Sequence, residues 1–193
     1  RAQLYEDKIQ RSNELAGVQA IARVAAQSSS RRELFATLSR HIATAMDAEM
    51  CGVFVHDPDG ERLIPQKPFT GIPDSVVDAY MFALPEDSVP RRVWLRDDGW
   101  YANNLRDEAL IDAIGLRDYL GAMGLRTMAL MPMLVGKRRI GMVQVSNLRS
   151  GAGFGPQDMQ RLRVFAAQAA IVVESIRLTD RDRYYQAQFE SLQ

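Results

Sequence analysis

Arg139-Ile140-Gly141-Met142-Val143-Gln144-Val145-Ser146-Asn147, followed after a loop by Phe154-Gly155-Pro156-Gln157-Asp158-Met159, decides how this chain is built. Strand residues alternate between two faces, so the first run sends Val143 and Val145 one way and Met142, Gln144 and Ser146 the other. Gly151, Gly153 and Gly155 then mark a loop, and Pro156 opens a helix, since its missing N–H costs nothing in a first turn. That helix carries an apolar stripe through Leu162, Phe165, Ala169, Val172, Val173 and Ile176. A strand feeding such a helix packs it back on its own sheet, and the more apolar strand face is expected to meet it.

Working backward, Thr127–Val135 reads as a strand covered on both faces, joined to the quoted one by the turn Gly136-Lys137-Arg138. Met50–His56 and Glu61–Gln66 form a hairpin around Asp57-Pro58-Asp59-Gly60. Trp100-Tyr101-Ala102 is a short strand and Ala83-Leu84-Pro85 a weaker one. Helices are expected from Arg31, with the stripe Leu34, Leu38, Ile42, Ala45, Met46; over Ser75–Phe82; from a Ser88 cap to about Asp97-Asp98-Gly99; and over Glu108–Met123, stopped by Gly124. Leu4 to Gln27 is helical with a narrow stripe at Leu4, Leu15, Val18, Ala22 and Ala25, the pattern of a two-helix coiled coil, and Ser28-Ser29-Ser30 ends it. The order gives an α+β fold with an antiparallel sheet, helices on both faces and long terminal helices. Three parts follow: 1–29 as a dimerisation and signalling helix, 30–176 as the main domain, and 177–193 as a connecting helix.

The 193 residues suffice for one full core, and 47% hydrophobic with 25% charged residues is the balance of an ordinary globular protein. Basic and acidic side chains number 24 each, so no net field draws in nucleic acid or an anionic membrane. The single cysteine, Cys51, excludes an internal disulfide and suits a reducing compartment, giving a cytoplasmic expectation. No apolar run approaches the roughly 20 residues needed to cross a bilayer. Because the first residue is Arg1, the chain is read as a piece of a longer polypeptide that also holds an output domain.

The strand Ile140-Gly141-Met142-Val143-Gln144-Val145-Ser146-Asn147, then Phe154 and Asp158, then Leu162-Arg163-Val164-Phe165-Ala166-Ala167-Gln168-Ala169, resembles the closing segment of a GAF domain, a PAS-like sensory module. The resemblance spans about Arg31 to Leu178. It implies a sheet of about six strands, first and last helices on one face, and on the other a ligand pocket roofed by short helices. It also implies a sensory or regulatory role. Members that bind cyclic nucleotides carry Asn-Lys before the loop and Asp-Glu after it; here Leu148 and Met159 replace the Lys and the Glu, which removes the charged partners. Bilin-binding members attach the pigment through a cysteine usually followed by histidine, whereas Cys51 precedes Gly52. The methionine sulfoxide reductases of this class use several cysteines, which this chain lacks.

His41 and His56 are the only histidines and show no metal-ligand spacing, and no GxSxG or comparable catalytic motif occurs, so no enzyme, metal or cofactor is expected. Arg91, Arg92 and Arg96 on one helix read as a solvated face, and Asp158 as a carboxylate favoured near a helix N-terminus. The ligand site, read from alternation and from the aromatic residues of the roof, comprises Trp94, Trp100, Tyr101, Arg126, Met142, Gln144 and Ser146. The expected partners are a small organic or nucleotide-like molecule and a second copy, in a parallel homodimer through the terminal stripes. Two other readings are a ligand-free dimerisation scaffold and a haem or bilin photosensor or redox sensor.

Overall fold

The computed structural model describes residues 3–9, 11–12, 19, 23, 28 and 30–191. Leu15, Val18, Ala22 and Ala25, four of the five residues of the expected N-terminal seam, lie outside these residues.

Ser30 caps α1 (Arg31–Ala45), its hydroxyl accepting from the Glu33 amide at 3.1 Å. Strands β1 (Ala48–Asp57) and β2 (Arg62–Thr70) follow as a hairpin, then the short helices α2 (Asp74–Val77) and α3 (Val89–Trp94), strand β3 (Trp100–Ala102), and helices α4 (Ala109–Ala113) and α5 (Leu120–Met123). The chain closes with β4 (Met128–Val135), β5 (Arg138–Leu148) and the 36-residue α6 (Pro156–Ser191). The sheet is antiparallel with spatial order β2-β1-β5-β4-β3, which puts β5 at its centre. Five strands stand where about six were expected: the segment at Ala83 is reduced to one bridge with Arg62, held by Leu63 N–H to Phe82 O and Leu84 N–H to Glu61 O. Pro85 has no amide with which to continue that ladder.

Alternation sorts the core into two layers. Cys51, Val53, Ala129, Met131, Val143 and Val145 face α1 and α6, where Leu38, Ile42, Leu162 and Ala169 are buried against them. Met50, Phe54, Met128, Leu130 and Met142 face the roof, meeting Leu105, Leu110, Ile111 and Ile114. The sequence expectation for β5 is met on both faces.

The roof differs from its expected form. Helix Ser75–Phe82 shrinks to Asp74–Val77, and α3 stops at Trp94, before Asp97. The expected Glu108–Met123 helix is split into α4, a 3-10 turn at Arg117–Tyr119, and α5, because Gly115 adopts φ of 75° and turns the chain out of the helix. Gly124 does terminate α5 in the left-handed conformation. The stripe Leu162, Ala169, Val172 that was expected to help form a dimer is buried against the protein's own sheet and α1 instead. α6 itself runs unbroken through residue 177, so the connecting segment continues the domain's last helix.

Candidate functional site

Gln144 sits at the middle of the central strand and faces the roof, fully buried. Its Nε2 donates to the Tyr80 hydroxyl at 3.2 Å and lies 3.5 Å from Ser146 Oγ, while its Oε1 has no hydrogen-bond partner. A buried amide oxygen left unmatched costs about 1–3 kcal/mol, so this is an unusual thing to find in an apolar layer. Around it Phe54, Phe69, Tyr80 and Phe82 pack ring to ring, with Phe54 centroids 5.3 Å, 5.8 Å and 5.5 Å from the other three in that order. Burial pushes the Tyr80 phenol up to about 12, the bond from Gln144 opposing this weakly, so the hydroxyl stays protonated and able to donate. Among the described residues no Asp, Glu, Lys or Arg is buried.

Tyr80 was not singled out from the sequence: it lies 64 positions from Gln144, in the turn after α2, and only the tertiary fold joins them. The other expected site residues are dispersed. Met142 and Ser146 flank Gln144 on the same face, and Trp94 and Trp100 join the same apolar layer nearer its edge. The Trp94 ring lies 5.1 Å from that of His56, tilted by 40°, with the Arg139 guanidinium 5.8 Å from its ring. Tyr101 is exposed on the opposite side of the sheet, because it pairs with Ala129, whose side chain faces α6. Trp100 and Tyr101 are adjacent in one strand, so they cannot share a face. Arg126 lies at the surface, paired with Glu49 at 3.7 Å, and lines a cleft of about 530 Å³ with Leu105, Leu120, Gly124 and Leu125. Those three leucines also belong to the roof-side layer.

Two asparagines brace the connections around this region. Asn147, one residue before the end of β5, has φ of 55°; its Oδ1 accepts from the Arg126 and Thr127 amides at 3.0 and 3.2 Å, and its Nδ2 donates to Glu49 Oε2 at 2.9 Å and Gly124 O at 2.7 Å. Its side chain is thereby spent on holding the α5–β4 connection. Asn103, just after β3, accepts from the Phe154 amide at 2.7 Å and donates to the Phe154 carbonyl at 3.0 Å. Asp158 caps the helix entry by accepting from the Gly155 amide at 2.9 Å, which accounts for the carboxylate near the helix N-terminus.

The remaining candidates are structural. Arg91 bonds Glu61 Oε2 at 2.5 Å and Leu84 O at 3.1 Å, and Arg92 bonds Asp87 O at 2.6 Å. Cys51 is fully buried in the α1–α6 layer, and that burial raises its thiol well above the ordinary range, which keeps it protonated and unreactive. No group of His, Cys, Asp and Glu that could hold a metal occurs among the described residues. Nor is any described helix long and apolar enough to cross a membrane.

The arrangement is thus a central antiparallel sheet with the paired helices α1 and α6 on one face and a roofed polar spot on the other. The sequence profile of the GAF domain matches residues 30–173, and the chain belongs to that family. Solved structures agree in fold. The GAF domain of a phosphoenolpyruvate-protein phosphotransferase from Coxiella burnetii is 14% identical, covering 88% of this chain and 98% of that one at a TM-score of 0.67. A GAF domain/HD domain protein from Geobacter sulfurreducens is 20% identical, covering 83% and 98%, at 0.61. A free methionine-R-sulfoxide reductase from Neisseria meningitidis, solved with its substrate, is 15% identical, covering 84% and 89%, at 0.59. No curated protein matches the chain.

Proposed function

We propose that this GAF domain is a non-enzymatic sensory module that holds a small uncharged heterocycle between β5 and the roof, and relays its presence through α6 to an output domain. The observation that supports the reading is the buried, unmatched Oε1 of Gln144 beside two hydroxyls. With Nε2 donating to Tyr80 and approaching Ser146, both hydroxyl protons are free to be donated onward. The site therefore offers one acceptor and two donors, which suits a lactam, where an N–H stands next to a carbonyl. A charged ligand finds no buried counter-charge here, and burying its charge unpaired would cost far more than the site returns. The proposed entry is the cleft at Leu105, Leu120 and Leu125, whose volume of about 530 Å³ is within the range of small-ligand sites; reaching Gln144 from it requires the roof to move. Asn103 then passes roof displacement to Phe154 and the first turn of α6.

The close packing of Phe54, Phe69, Tyr80 and Phe82 favours a second reading, a filled scaffold without a ligand. Thermal unfolding with uracil and hypoxanthine, against uridine and inosine 5′-monophosphates, separates the two. The ligand reading expects the neutral bases to raise the midpoint of the wild type and not of Gln144→Leu, and the monophosphates to do nothing. Equal shifts in both proteins, or none with any compound, would hand the case to the scaffold.

A further inference from the structure

β3 pairs only with residues 128–130 of β4, so residues 131–135 have β5 on one side and, among the described residues, no strand on the other. Pro132 is tolerated there because an edge strand can do without one amide. Two clefts follow this edge beside α6. One, of about 540 Å³, is lined by Gly99, Tyr101, Pro156, Met159 and Arg163, and the other, of about 530 Å³, by Pro132, Leu134, Lys137, Arg163 and Ala167. Arg163 lines both, so they form one furrow with the flank of α6 as a wall. Tyr101 pairs with Ala129, and from there to Leu134 the strand advances roughly 17 Å at about 3.3 Å per residue. That span is long for a compact small molecule and matches an extended peptide of about six residues.

We infer that this furrow docks an extended acidic peptide carrying one large apolar side chain. Charge selects the occupant. Among the described residues Arg163 and Lys137 form no hydrogen bond or ion pair, whereas both acids at the rim are engaged, Asp97 by Arg139 and Asp98 by Arg96 at 3.4 Å. The furrow thus presents two unspent cations, one between the clefts and one at the β4–β5 turn, and no unspent carboxylate. Alternate side chains of an extended peptide face the same way about 7 Å apart. An apolar one packs on exposed Tyr101 and the Met159 thioether, and carboxylates two and four positions along then meet Arg163 and Lys137. Because Pro132 has no amide to offer, side chains rather than a continued β-ladder choose the partner. Two cations on a chain of zero net charge are too few to hold a nucleic acid strand. The furrow lies across β4 from Gln144, and its occupancy is independent of any ligand there.

Fluorescence anisotropy of the full chain with fluorescein-labelled Phe-Ser-Glu-Ser-Glu-Ser, and with the same peptide in reversed order, tests this. One of the two orders is expected to bind saturably, and its counterpart with lysine in place of glutamate is not. Arg163→Glu should weaken binding by about tenfold and Tyr101→Ser by about fivefold, with unchanged circular dichroism because both side chains are exposed. The double variant Arg163→Glu, Lys137→Glu should bind the lysine peptide and release the glutamate one, an exchange that damage to the fold would not produce. No saturable binding of either order, equal binding of the lysine peptide by the wild type, unchanged affinity in Arg163→Glu, or tighter binding of oligothymidylate than of either peptide would overturn the inference.

Discussion

Replacing Tyr80 by Phe and Gln144 by Leu together removes a hydrogen-bonded pair and an unmatched oxygen in one step. The 3.2 Å Gln144–Tyr80 bond is worth about 0.5–1.5 kcal/mol net. The unmatched Oε1 counts the other way by about 1–3 kcal/mol. Leu and Gln are close in volume and the layer is apolar, so little cavity or strain is added. The 3.5 Å contact to Ser146 is long and its loss is small. The double variant should therefore be more stable than the wild type by about 1 kcal/mol, or about 2–4 °C in midpoint for a chain of this size. Gln144→Leu alone leaves the Tyr80 hydroxyl buried without a partner and should fall below the double variant by about 1–2 kcal/mol. Urea unfolding followed by the fluorescence of Trp94 and Trp100, both in the same layer, reads all three. A double variant less stable than wild type by more than about 2 kcal/mol would refute the reasoning, because the amide would then be fully bonded without a ligand.

Asn147→Ala should cost about 3 kcal/mol in the same assay, since four hydrogen bonds and a left-handed backbone both depend on that side chain; Asn147→Gly should recover about 1 kcal/mol of it by relieving the backbone alone. Gly141→Ala should leave little soluble folded protein, because its Cβ would fall inside the Phe54 carbonyl across the β1–β5 ladder. Burial holds His56 below the usual imidazole range, against the pull of Glu61 and Asp57. The unfolded imidazole therefore takes up its proton first, and stability should decline as pH falls from 6.5 through the lower folded value. His56→Gln should flatten that part of the midpoint-against-pH curve.

The local signals of this fold were strong where one residue type dictates a backbone state. Ser88 caps the helix assigned to it, Gly124 ends α5, and alternation along β5 sorts Val143 from Gln144 without reference to the rest of the chain. The roof was misread because apolar periodicity over Glu108–Met123 looks the same for one helix as for two short pieces turned at Gly115. Tyr80 was missed for a related reason: its place beside Gln144 is set by how α2 docks on the sheet. Tyr101 was grouped with the site as a roof aromatic and Arg126 as a polar neighbour of it, whereas strand alternation turns Tyr101 to the other face and Arg126 pairs with Glu49 at the surface.

Native mass spectrometry of the purified full chain, wild type beside Gln144→Leu, bears most directly on the proposed sensor. The wild type is expected to carry a neutral small molecule that is released on unfolding, and Gln144→Leu to fly at the bare polypeptide mass. Bare mass for both proteins, before and after incubation with hypoxanthine, would contradict a ligand site at Gln144.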